Sequence, residues 1–201
     1  MFSEPIQKSI DSWETPPNLL DYDRTCSAFS WDDIRSELDG LPGGGGLNIA
    51  HEAVDRHAHG PLKDHLALRW LGVGDSIRDF TYAELKSLTN RFANVLCGLA
   101  VGRGDTVAVL AGRIPELYWS ALGTLKNGSV FCPLFSAFGP EPVFQRLSRG
   151  EARVVLTTED QYRKKIRLER EKLPRLAHVL LVDEDDPPDH GVGSLTPLMQ
   201  T

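Results

Sequence analysis

Between Asp105 and Thr158 three short apolar runs, Val107 to Leu110, Val130 to Leu134 and Val154 to Thr157, alternate with two segments of helical periodicity. The first segment, Ile114 to Lys126, carries Leu117, Ala121, Leu122 and Leu125 at helical spacing and stops at Asn127-Gly128. The second, Pro140 to Ser148, turns Val143, Phe144 and Leu147 inward. Apolar runs of four or five residues separated by helices are the signature of parallel strands buried on both faces, because crossover helices cover both sides of such a sheet. The stretch therefore predicts an α/β fold with a mostly parallel β-α-β-α-β sheet, and Ala177 to Val182 adds a fourth strand.

The elements around this stretch follow from local signals. Trp31 to Leu38 reads as a short helix, and Pro42 followed by four glycines reads as a flexible connector behind an N-terminal arm, residues 1–46. This loop follows no strand and no Gly-Lys-Ser/Thr comes after it, so it lacks the features of a phosphate cradle. Asn48 to His57 is a helix capped by Asn48, with Ile49, Ala50, Ala53 and Val54 on one side. Leu66 to Leu71 and Ile77 to Thr81 flank Gly74-Asp75 as a hairpin. Thr81-x-x-Glu84 is a capping box ahead of the stripe Leu85, Leu88, Phe92, Leu96 and Leu99. Thr158-x-x-Gln161 is a second box, opening a helix through about Lys172. Residues 47–182 make up the folded part, and the acidic, proline- and glycine-containing segment 183–201 reads as a disordered tail.

Several classes of function are excluded or weakened by composition. The formal charge is -6, which argues against nucleic acid, since phosphate backbones select net basic surfaces. No apolar segment reaches the roughly 18 to 20 residues of a membrane span, and Met1 to Asp11 lacks the pattern of a secretory signal. Cys26, Cys97 and Cys132 are widely spaced, with no Cys-x-x-Cys, which favours reduced thiols in the cytoplasm. His51, His57, His59 and His65 have no carboxylate or thiol at a recurring ligand spacing, so solvated histidines are favoured over a metal site. Gly102-Arg103-Gly104 precedes its strand and lacks a third glycine, which disfavours a nicotinamide-dependent dehydrogenase.

One segment is basic. Gln161 to Lys172 holds six basic and two acidic residues, with Arg163, Arg167 and Arg170 on the flank of a helix whose buried face is Tyr162, Ile166 and Leu173. A solvated helix face and a phosphate clamp both fit this pattern, because arginine forks match phosphate oxygens.

Several strings recur in a recognisable order: Leu47-Asn48-Ile49-Ala50, Asp55-Arg56-His57, Phe80-Thr81-Tyr82-x-Glu84-Leu85, Gly104-Asp105-x-Val107, Ile114-Pro115-Glu116, and Phe135-Ser136-Ala137-Phe138-Gly139-Pro140-Glu141. Over roughly Phe29 to Val182 the chain resembles the N-terminal part of AMP-forming acetyl-CoA synthetases, in the adenylate-forming acyl-CoA synthetase superfamily. The resemblance implies a partial N-terminal domain of that fold. In full-length form such an enzyme uses ATP with magnesium and coenzyme A to convert acetate to acetyl-CoA, AMP and pyrophosphate. The family's phosphate loop, acetate pocket and lid lysine correspond to no residues here, so the expectation is a chain that binds no ATP and is inactive alone.

For coenzyme A the resemblance points to Ser136 and Ala137, which stand where the family has two glycines beside the bound coenzyme. A positive φ at either position would be strained by the exchange. The family also places two arginines three residues apart near the coenzyme's 3'-phosphate. The first corresponds to Arg163; the second falls on Ile166, so Lys165 or Arg167 would have to substitute. An incomplete sheet further implies self-association or a complementing chain. The alternative function is a noncatalytic interaction or ligand-sensing module on the same scaffold.

Overall fold

The computed structural model describes residues 14–15, 17–185, 187, 189 and 191–200. It divides into two compact units, 1–38 and 39–201. In the first, α1 (Tyr22–Ala28) is capped by Asp21, which accepts the Arg24 N–H at 2.9 Å, and α2 (Trp31–Glu37) by Ser30. Neither helix buries a residue.

The second unit holds the sheet. Its first helix is capped as expected, Asn48 Oδ1 accepting the N–H groups of Ala50 and His51. His51–Asp55 forms a π turn that runs into α3 (Arg56–Ala58), and the extra residue rotates the face. His51 and Val54 are buried, whereas Ile49 is 63% exposed and Ala53 also faces out, contrary to the periodicity. Glu52 anchors the incoming chain by accepting the N–H groups of Asp39 and Gly40 at 3.0 and 2.7 Å. Its pairing with Arg56 and these backbone bonds hold its carboxyl down to about 2.

β1 (Leu66–Leu71) and β2 (Ile77–Thr81) form the predicted antiparallel hairpin. α4 (Tyr82–Gly98) opens on the complete Thr81/Glu84 capping box. There follow β3 (Thr106–Ala111), α5 (Pro115–Lys126), β4 (Val130–Phe135), α6 (Pro140–Arg149), β5 (Ala152–Thr157), α7 (Glu159–Lys165), β6 (His178–Leu181), β7 (Val192–Ser194) and α8 (Leu195–Leu198). The sheet order is β4-β3-β5-β6-β7 and every pairing is parallel. Residues alternate along β3: Val107, Val109 and Ala111 join Phe92, Leu96, Trp119 and Leu156 on one face, while Ala108 and Leu110 join Val143, Leu147, Val155 and Ile166 on the other. Both faces are covered. β4 lies at an edge, where Pro133 costs no ladder bond on the open side.

The helix expected over Ile114 to Lys126 is present as α5, and its buried residues are Trp119, Ser120, Gly123 and Thr124, while the helically spaced Leu117, Ala121, Leu122 and Leu125 are half-buried. Small residues let α4 come close on that side, and the larger side chains fill space beside it. The second capping box is half made. Thr158 Oγ1 accepts the Gln161 N–H at 3.4 Å, but Gln161 Oε1 is buried with no partner among the described residues, and the α-helix ends at Lys165. Ile166 turns to φ -120°, ψ -42° to enter the core, and Arg167–Lys172 continues as a 3-10 helix. The segment after Val182, expected as a disordered tail, supplies the fifth strand, β7, and α8, with Leu195 buried. Hydrogen bonding to the free edge of β6 orders three residues too few to show a period.

Candidate functional site at the carboxyl ends of the strands

β3 leads outward to β4, and the chain then crosses back to place β5 on the other side of β3. In open parallel sheets this reversal leaves a crevice at the carboxyl ends of the strands, where ligands bind. Here it is bordered by the turns after β3, β4 and β5. Thr157 Oγ1 donates to the Leu110 carbonyl at 2.7 Å and fixes β5 to β3 at that end.

The turn after β4 contains Ser136 and Ala137. The Phe138 N–H returns to the Phe135 carbonyl at 3.0 Å, the rings of Phe135 and Phe138 meet edge to face at 5.5 Å, and the Arg146 guanidinium lies 4.2 Å over Phe138. Among the described residues, only Asp75, Ala100 and Glu151 combine a side chain with positive φ. Ser136 and Ala137 therefore sit in ordinary backbone conformations, and the loss of two glycines introduces no strain there. Lys165 Nζ donates to the Ser136 carbonyl at 2.5 Å and joins α7 to this turn.

The basic residues of α7 and the following 3-10 helix have different partners. Arg163 is half-exposed and, among the described residues, pairs within its own helix, with Glu159 at 3.4 Å and Asp160 at 3.5 Å. Such exposed pairs are worth at most about 1 kcal/mol, so the guanidinium is easily released to a ligand. Lys164 holds the Asp160 carboxyl below the usual range. Arg167 makes a two-pronged pair with Asp189, at 2.9 Å for each bond, and the Tyr162 hydroxyl donates to the same carboxylate at 3.0 Å. Both candidates for the second clamp position are thus already engaged, Lys165 with Ser136 and Arg167 with Asp189. The Lys165 link had no counterpart in the sequence reading, because a contact 29 residues away leaves no local pattern.

The histidines are dispersed. His51 lies between Asp39 (3.3 Å) and Asp55 (3.9 Å), His57 is tilted against Tyr82, and His59 pairs with Lys86. Among the described residues no three His, Cys, Asp or Glu side chains converge as a metal site, and no helix is long and apolar enough to cross a membrane.

The sequence profile of the AMP-binding enzymes matches residues 54–196. The chain is 38% identical to the acetyl-coenzyme A synthetase of Bacillus subtilis (strain 168) over 178 residues, which is 87% of this chain and 30% of that protein. It is 32% identical over 151 residues to the acetyl-coenzyme A synthetase of Gemmatimonas aurantiaca, covering 75% of this chain and 23% of that one. In structure it is similar to an acyl-CoA synthetase of Brucella canis, with a TM-score of 0.76 and 26% identity over 90% of this chain and 32% of that chain. The fold is shared as well with the anthranilate CoA ligase AuaEII, at a TM-score of 0.65 and 24% identity, over 77% of this chain and 28% of that one. The chain thus spans less than a third of the length of these relatives.

Proposed function

The chain belongs to the AMP-binding enzyme family, and on that premise we propose that it is the N-terminal part of an AMP-forming acetate–CoA ligase. The complete enzyme would join acetate to ATP as acetyl-adenylate with loss of pyrophosphate. The coenzyme A thiol would then displace AMP from the acyl carbon. The observation that carries this reading is the 38% identity to an acetyl-coenzyme A synthetase along 87% of the chain.

Within this reading the 201 residues contribute to coenzyme A binding and not to phosphoryl chemistry. In-line attack on ATP requires charge-stabilising donors around the transferred group, and the described residues include no glycine-rich loop followed by lysine at a strand end. Acetate-dependent pyrophosphate release should therefore be absent from the purified 201-residue polypeptide; release proportional to protein concentration would refute this. ATP and magnesium belong to the longer enzyme. The open edge of β4, with Val130 49% and Phe135 64% exposed, supports association with a complementing chain or a second copy.

Arg163 is assigned to the 3'-phosphate of coenzyme A, and the turn at Ser136 and Ala137 to the neighbouring part of the coenzyme. Arg167 is the weaker candidate because Asp189 already occupies it. Calorimetric titration tests the assignment. Arg163→Ala should weaken coenzyme A binding by about tenfold, the worth of one charge-assisted contact, and leave binding of the 3'-dephospho form nearly unchanged. Equal losses for both ligands would remove Arg163 from the phosphate.

A further inference from the structure

The β1–β2 hairpin ends in an apolar tip that stands beside a cavity. Leu71 and Ile77 face each other at the end of the ladder, 69% and 58% exposed, and Val73 in the turn is 100% exposed. The turn is held in shape: a Cβ at Gly72 would collide with Trp70 and Ser76, the Gly72 N–H donates to the Ser76 carbonyl at 2.8 Å, and the left-handed positions fall to Gly74 and Asp75. Next to the tip lies a cavity of about 710 Å³ whose walls include Leu68, Trp70, Ile114 and Tyr118. The Trp70 indole N–H donates to the Arg113 carbonyl at 2.6 Å and fixes the hairpin to the turn after β3, so the cavity is preformed. Charge is left over on both features. Arg69 pairs with Asp79 at 2.7 Å and Arg78 approaches Glu116 at 3.9 Å. Arg113 at the cavity wall and Asp75 at the tip, both exposed, have no ionic partner among the described residues.

We propose that the hairpin is a dimerisation surface whose occupant is a second copy of this chain, the tip of each copy seated in the cavity of the other. Tip and cavity lie on one element, so a two-fold axis engages both tips and both cavities at once and the contact closes on itself. Charge complementarity selects this occupant. A second copy's tip carries Val73 against the apolar walls and Asp75 toward Arg113, joining two opposite charges that are otherwise unpaired, and the symmetry makes the contact twice. Packing tip against tip would instead set the two Asp75 carboxylates together, and like-charge juxtaposition opposes association. Burial of Leu71, Val73 and Ile77 supplies the apolar contribution. The surface is separate from the open edge of β4, and the inference does not depend on the ligase reading.

Sedimentation velocity on the 201-residue chain, over a concentration series in the micromolar range, tests the proposal. The wild type should pass from monomer to dimer as concentration rises, and added salt should weaken the dimer. Val73→Glu should weaken it at least tenfold; this side chain touches nothing that holds the fold, so the readout stands even where a charge variant fails to fold. Asp75→Arg and Arg113→Asp should each sediment as monomers, because every reversal counts twice across a two-fold axis. An equimolar mixture of these two variants should dimerise again, since the arginine at 75 then meets the aspartate at 113 and the reverse pair forms on the other side. A wild type that stays monomeric throughout would overturn the proposal and leave the cavity to a different occupant. An association untouched by Val73→Glu would overturn it too and move the contact to the β4 edge, and so would a mixture of folded charge variants that remains monomeric.

Discussion

Replacing Gly123 with leucine should lower the melting temperature by about 10 °C. Gly123 lies on the buried face of α5 where α4 crosses it. A Cβ built there would stand 2.9 Å from the Thr89 carbonyl oxygen and 3.0 Å from Phe92 Cβ and Cδ1. The first obstacle is helix backbone, which cannot swing aside, and the second belongs to a ring with 0% exposure wedged edge to face on Trp119 at 5.7 Å. Overpacking of this kind costs typically 1 to 3 kcal/mol and more when backbone must move. For leucine about 3 kcal/mol is expected, and each kcal/mol shifts the midpoint of a domain this size by roughly 2 to 4 °C. Gly123→Ala should still destabilise, because the clash at Cβ exceeds alanine's helix-propensity gain of roughly 1 kcal/mol. Gly98, in the last turn of α4, is the control: nothing lies within 4 Å of its Cβ position, and Gly98→Ala should be neutral or stabilising. Thermal melts followed by circular dichroism decide the matter, and an unchanged midpoint for Gly123→Leu would show that the helices do not cross this closely.

The same crossing shows what kind of information the sequence carries. Parallel strands announce themselves as continuous apolar runs because both of their faces are buried, and β3 and β5, central in the sheet, were legible for that reason. Helix faces are read on the premise that the largest apolar side chains point inward. At α5 that premise fails, since Ser120, Gly123 and Thr124 are buried and the leucines only half-buried. Strand β7 escaped notice for a different reason. Three residues, Val192 to Ser194, give one and a half periods of alternation, and their order comes from the vacant edge of β6 and not from their own pattern.

The candidate site was legible only where a string is local. Phe135 to Glu141 marks the turn after β4, and the structure sets it at the carboxyl end of the sheet, against α7. The wheel that grouped Arg163, Arg167 and Arg170 assumed one continuous helix. Ile166 leaves that helix to bury itself, at 1% exposure, and beyond it Arg167 and Arg170 pair with the β6–β7 connection. That pairing spans 22 and 21 residues, through a segment whose composition suggested only a tail. Charge counting found the basic cluster; it had no means of finding the carboxylate that fills it.

Lys126 should be the most costly polar residue to remove. Its side chain is 15% exposed, and its ammonium donates to Asp55 Oδ1 at 2.7 Å, Asn90 Oδ1 at 2.8 Å and Thr89 Oγ1 at 2.9 Å. It thereby joins the turn before α3, the middle of α4 and the end of α5, and the neighbouring Asn48 side chain adds a bond to the Leu125 carbonyl at 2.8 Å. Burial, the main cause, pulls the Lys126 ammonium below the usual lysine range despite the carboxylate beside it. The charge is thus tolerated only because all three donor directions are used. Removing one member of such a pair leaves the other charged and poorly solvated, which typically costs 3 to 5 kcal/mol. Because both side chains keep 15% exposure, the lower figure applies, and Lys126→Ala should lose about 3 kcal/mol by urea denaturation. Asp55→Ala added to that variant should recover part of the loss, since no carboxylate then remains unpaired. A double-mutant cycle separates this from a packing effect: strictly additive losses would mean that Lys126 acts through its methylenes, whereas a coupling of 1 kcal/mol or more assigns the stability to the ion pair.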